Sequence, residues 1–129
     1  HSTLLRLKPA IVHIQAHGNQ EGLALQDSSG DLHQVSWAAL RDTLMATPGL
    51  RCVILNACES DMAATLGATP FVLITTPGAV ISETTLTFTF GFYDALAAGS
   101  DIVECYTAGC NRMRLQGYSE DELPSMQPA

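Results

Sequence analysis

The chain has 129 residues, enough for one domain with a real core, since about two-thirds of the unfolded surface leaves water when a chain of this size folds. Hydrophobic residues make up 47% and charged residues 15%, too apolar a balance for disorder, and the net charge of −7 with six scattered Lys and Arg argues against nucleic acid as a partner. No apolar run reaches the length of a membrane span, no three-part signal peptide opens the sequence, and the acidity disfavours an anionic membrane surface.

The sequence starts at His1 rather than Met, as expected of a fragment or of a chain carrying a tag residue. IVHIQAHG, residues 11–18, is led in by Pro9, rich in branched side chains and closed by Gly18, which predicts a strand. Leu23, Leu25, Leu32 and Val35 then flank a turn of Asp27, Ser28, Ser29 and Gly30, the pattern of a β-hairpin. Ser36 is placed to cap a helix with Trp37, Leu40 and Leu44 at helical spacing, ending near Pro48-Gly49.

RCVILNAC, residues 51–58, is almost wholly apolar, as in a parallel strand covered on both faces. Ser60 can begin a short helix with Met62 and Leu66 on one face. PFVLITTP, residues 70–77, repeats the buried-strand pattern between two prolines. From Ser82 to Gly99 two periods compete. Thr85, Thr87 and Thr89 alternate with Leu86, Phe88 and Phe90 as in a strand, whereas Leu86, Phe90, Tyr93 and Ala97 mark one helical face. Length favours the helix. Asp101 and Glu104 form a capping-box pair ahead of the helical stripe Ile102, Tyr106, Cys110 and Met113. Residues 1–116 therefore read as one α/β domain with a mostly parallel sheet flanked by helices, and the polar residues 117–129 as a tail or linker. Of the four cysteines, which show no disulfide framework, Cys105 and Cys110 fall in an apolar helical pattern; such thiols suit the reduced core of a cytoplasmic protein.

Sites in an open parallel sheet form beyond the carboxyl ends of the strands. One strand ends on His17-Gly18, the next on Cys58 followed by Glu59, Ser60 and Asp61, and the third leads to Gly78, Ser82 and Glu83. A histidine and a cysteine at one sheet edge meet the requirement for a thiol–imidazole pair. Gly18 frees a backbone N–H for close approach to an oxyanion, and a helix starting after Cys58 would favour thiolate. Taken singly, each has a plainer reading: His17 structural, Cys58 core, and Glu59, Asp61 and Glu83 helix-start charges. A metal site of His13, His17, His33 and Cys58 is disfavoured because no zinc-type ligand spacing is present, and nucleotide binding because no glycine-rich loop follows a strand.

IVHIQAHG, GLALQD, RCVILNACES, PFVLITTPGAVISE and FYDALAAG together resemble the CHAT family of bacterial caspase-like proteins, over residues 11 to about 110. The resemblance implies the caspase–haemoglobinase fold and a cysteine endopeptidase with Cys58 as nucleophile and His17 as base. It implies an oxyanion hole from the backbone N–H groups of Gly18 and Cys58, and a helical Ser82–Gly99. Glu59, Asp61, Ser82 and Glu83 would stand about the pocket for the residue before the scissile bond, carboxylates there favouring a basic side chain. The strand and helix that precede the His strand in this fold have almost no room here, so an N-terminally truncated domain is expected, with a strand edge open to a homodimer partner. No third catalytic residue is recognisable and no cofactor is implied. The expected role is a cytoplasmic module of a larger bacterial signalling or defence protein, with a sensor or other attached domains, that cleaves a protein partner. The alternative is a catalytically inactive interaction or assembly module.

Overall fold

Runs of branched and apolar residues form the central strands. The computed structural model describes residues 10–19, 22–26, 29–57, 67–76 and 82–129; for 15–19, 23, 25–26, 32, 57 and 82 it describes the backbone alone. The elements are β1 (Ile11–Asn19), β2 (Gly22–Gln26), β3 (Leu32–Ser36), α1 (Trp37–Met45), β4 (Cys52–Ala57), β5 (Val72–Thr75), α2 (Ser82–Ala97), α3 (Ile102–Leu115) and β6 (Ser125–Gln127). The residues of the expected short helix with Met62 and Leu66 lie outside the described part.

The strands form one sheet in the order β3-β2-β1-β4-β5-β6. Its centre is parallel, with β1 against β4 and β4 against β5, as the double-sided apolar runs predict. The hairpin β2–β3 and the strand β6 extend it antiparallel at either side. The hairpin pairs with β1 only at His17, Gly18 and Asn19, whereas Ile11 to Ala16 ladder with β4 on the other side.

Alternation along the strands sorts the core into two layers. Val12, Val53, Leu55 and Leu73 pack with Trp37, Leu40 and Leu44 of α1. Cys52, Ile54 and Ile74 pack with Phe88 and Phe92 of α2 and with Ile102, Cys105 and Met113 of α3. The result is an α/β protein with helices on both faces of the sheet. Ser36 caps α1, accepting from the Ala39 N–H at 3.1 Å, and Asp101 with Glu104 completes the capping box of α3.

The helix over Ser82–Ala97 is as expected, but its buried face is not. The stripe Leu86, Phe90 and Tyr93 is exposed at 50%, 56% and 36%, while Thr85, Phe88 and Phe92 face the sheet and α3. Two of the threonines on this helix lose little by this, whereas the buried Thr85 hydroxyl has no partner. Thr87 and Thr89 donate their hydroxyls to the carbonyls of Glu83 and Thr85 four residues back, so their polar atoms are paired inside the helix.

Residues 117–129 are also not a free tail. After a single 3-10 turn over Glu120–Glu122, the chain lays β6 antiparallel on β5, with Ile74 opposite Met126. Leu123 is buried, and the Tyr106 hydroxyl donates to the Pro124 carbonyl at 2.6 Å. A polar composition concealed this docking because an edge strand needs only a few apolar side chains. Pro124 and Pro128, on either side of β6, suit a position at the sheet edge.

Candidate active site

The β1–β4 ladder runs in step from Ile11↔Cys52 to Ala16↔Ala57, so β4 ends beside Ala16 while β1, pointing the same way, runs on to Asn19. His17 and Cys58 are the next residues after that last registered pair. His17 and Gly18 belong to regular strand, paired with Ala24 and Leu23 of the hairpin. Cys58, Glu59 and Asp61 lie outside the described residues, as do the side chains of His17 and Ser82.

Ser82 is the first residue of α2, and Glu83 stands exposed in its first turn. A carboxylate there interacts favourably with the positive end of the helix dipole, its plainer reading.

Polar groups gather beside the end of the β1–β4 ladder. Asn56 is the one polar residue of CVILNA, and it is 3% exposed. Its Nδ2 donates to Nε2 of His13 across the β1–β4 boundary. With the amide in this orientation the His13 ring accepts at Nε2. His13 keeps part of its side chain open to solvent, yet burial of the rest lowers its pKa below 6.5. Among the described residues three buried side-chain polar atoms have no hydrogen-bond partner: Asn56 Oδ1, Thr76 Oγ1 and Thr85 Oγ1.

These atoms share one layer. Ile54 and Ile74 pack against Phe88 and Phe92, and Asn56 and Thr76 follow them by two residues on β4 and just past β5. The Thr76 N–H continues the ladder by donating to Leu55 O at 3.3 Å. Thr85 sits one turn before Phe88 on the inward face of α2. The apolar layer thus turns polar at the carboxyl edge, where a parallel sheet places its site. The signal in the sequence was a single asparagine inside an apolar run.

Three of the four cysteines are described, and all three are buried. Burial, and then the neighbouring Cys105, push the Cys52 thiol up to about 12 despite Arg51. Burial also raises Cys105 and Cys110. These are protonated, inert thiols at neutral pH. Among the described residues no group of three or more His, Cys, Asp or Glu could hold a metal ion, and no helix is long and apolar enough to cross a membrane. Comparison of the chain with protein-family models and with curated proteins gives no match.

Proposed function

We propose that the chain is the catalytic domain of a CHAT-type, caspase-like cysteine endopeptidase, with His17 and Cys58 as its dyad. The observation that carries the reading is the register Ala16↔Ala57, which sets side by side the two residues that directly precede His17 and Cys58 in the sequence. His13 and Asn56 meet across the same two strands, four and two residues before His17 and Cys58 in the sequence. The three buried thiols, all raised in pKa, leave Cys58 as the candidate nucleophile.

In the proposed cycle His17 takes the thiol proton and the Cys58 thiolate attacks the scissile carbonyl. The N–H groups of Gly18 and Cys58 hold the developing oxyanion. His17 returns the proton to the leaving amine, and water hydrolyses the thioester to release the acid and regenerate the thiol. The substrate is a protein or peptide, and the module acts inside a larger bacterial signalling or defence protein.

A peptide-substrate panel with Cys58→Ala and His17→Ala controls tests this. Thiol-dependent cleavage lost in both variants is the expected result; no cleavage, even in a longer chain, removes the peptidase reading. The exposed stripe Leu86, Phe90 and Tyr93 on α2 favours a second reading, an interaction module without turnover. That reading predicts binding of a partner that is lost on Phe90→Glu and indifferent to Cys58→Ala.

A further inference from the structure

We propose that the layer between the sheet and α2 holds a buried water molecule at its carboxyl edge, bound by the Asn56 amide and by the hydroxyls of Thr76 and Thr85. This water ties α2 to β4 and to the end of β5. The inference goes beyond the peptidase reading and stands whether or not the dyad turns over a substrate.

Asn56, Thr76 and Thr85 are 3%, 5% and 5% exposed, and Oδ1 of the first and Oγ1 of the other two have no hydrogen-bond partner. Such atoms are rare in folded proteins, because nothing replaces the water that each gave up. Asn56 spends its other amide atom, Nδ2, on His13. Turning the amide over exchanges oxygen for nitrogen and still leaves one end open, so the surplus does not depend on the flip. On the same helix Thr87 and Thr89 each donate to the carbonyl four residues back. Thr85 makes no such bond, and the residue four before it precedes the helix.

The fold sets the three at one level. The Thr76 N–H donates to Leu55 O at 3.3 Å, as the Val72 N–H donates to Arg51 O at 2.9 Å. Val72 is the ladder partner of Cys52, so Thr76 stands opposite Asn56 by the same step along both strands. Cys52, Ile54, Val72 and Ile74, which precede them on that face, pack in one cluster with Phe88 and Phe92. The helix runs the other way across this layer. Burial raises the Tyr93 phenol and Cys52 adds to the rise, which puts the far half of α2 beside the first residue of β4. From Phe92 back to Thr85 the helix covers about 10 Å, and from Cys52 to Asn56 the strand covers about 13 Å, so Thr85 comes level with Asn56 and Thr76. One water meets all three needs: it accepts from both hydroxyls and donates to the amide oxygen. The three atoms are shut off from solvent, which suits an internal water rather than a group of a substrate.

The test joins a high-resolution crystal structure of the wild type with urea unfolding of Thr76→Val and Thr85→Val. The crystal structure is expected to show a water within about 2.5–3.2 Å of the Asn56 amide and of both threonine hydroxyls. Valine keeps the shape of threonine and replaces the hydroxyl by a methyl. Where the hydroxyl holds a shared water, that change strands the other partners of the water, and the urea midpoint should fall by about 0.5 M in each variant. A hydroxyl that is buried with nothing to bond gives the opposite sign, because its removal is a gain. A midpoint that rises in either variant overturns the proposal. So does a crystal structure in which the open end of the Asn56 amide meets a protein group or no water at all, and that result decides the matter where a variant fails to fold.

Discussion

The α2–α3 hairpin offers a test in which two helix effects of opposite sign compete. A Cβ on Gly109 would lie 2.6 and 2.7 Å from Cδ1 and Cε1 of Phe88 and 2.9 Å from its carbonyl oxygen. On Gly91 it would lie 2.8 Å from both the Ala108 oxygen and the Gly109 Cα. Helix propensity alone makes Gly→Ala stabilising by about 1 kcal/mol. Packing opposes it. Carbon contacts settle near roughly 3.5–4.0 Å, so the added methyl must push its neighbours by about 0.5–1 Å. The neighbours here are backbone and a ring 1% exposed, and neither can swing aside. Overpacking of this kind costs about 1–3 kcal/mol, and the rigid neighbours place it near the upper end. Subtracting the propensity gain leaves a net loss of about 2 kcal/mol for Gly109→Ala. With a urea slope of about 2 kcal/mol per molar, the midpoint should fall by about 1 M. The double variant should cost less than the two singles added, because one displacement makes room for both methyls. A midpoint that rises in either single variant refutes the packing argument.

Other expectations follow from particular contacts. Asp101→Ala removes the α3 capping box and should cost about 1 kcal/mol, lowering Tm by roughly 3–6 °C in a calorimetric scan. Leu123→Ala should cost about 2 kcal/mol in urea unfolding, whereas a free tail would make it neutral. Tyr106→Phe, which leaves the buried Pro124 carbonyl without its donor, should cost about 1 kcal/mol in the same assay. His13 titrates below its ordinary 6.5 because burial disfavours the charged ring, so the unfolded chain takes up its proton first. Its contribution is fully present above pH 6.5, falls as pH drops through 6.5, and levels off below the lowered folded value. His13→Gln, compared with wild type at pH 7.5 and pH 5, should remove that part of the acid destabilisation; an identical pH dependence would refute it.

The sequence by itself determined the order and kind of the described elements from β1 to α3, because each rests on a local rule. Ser36 and Asp101 cap the helices they precede, and the largely apolar runs of β4 and β5 mark strands covered on both faces. It also marked His17 and Cys58 as residues worth joining. Which face of an element is buried is a property of its neighbours, and tertiary structure alone decided it. Leu86, Phe90 and Tyr93 form as good a stripe as Thr85, Phe88 and Phe92, and only the sheet and α3 choose the second. The docking of β6 needed β5 to offer an open edge, which no window of residues 117–129 records. Asn56 was visible as a polar break in an apolar run. That it meets His13, with its oxygen left over, depends on a register between strands separated by a hairpin and a helix. Local chemistry is written along the chain, whereas pairing across the sheet exists only once the strands lie side by side.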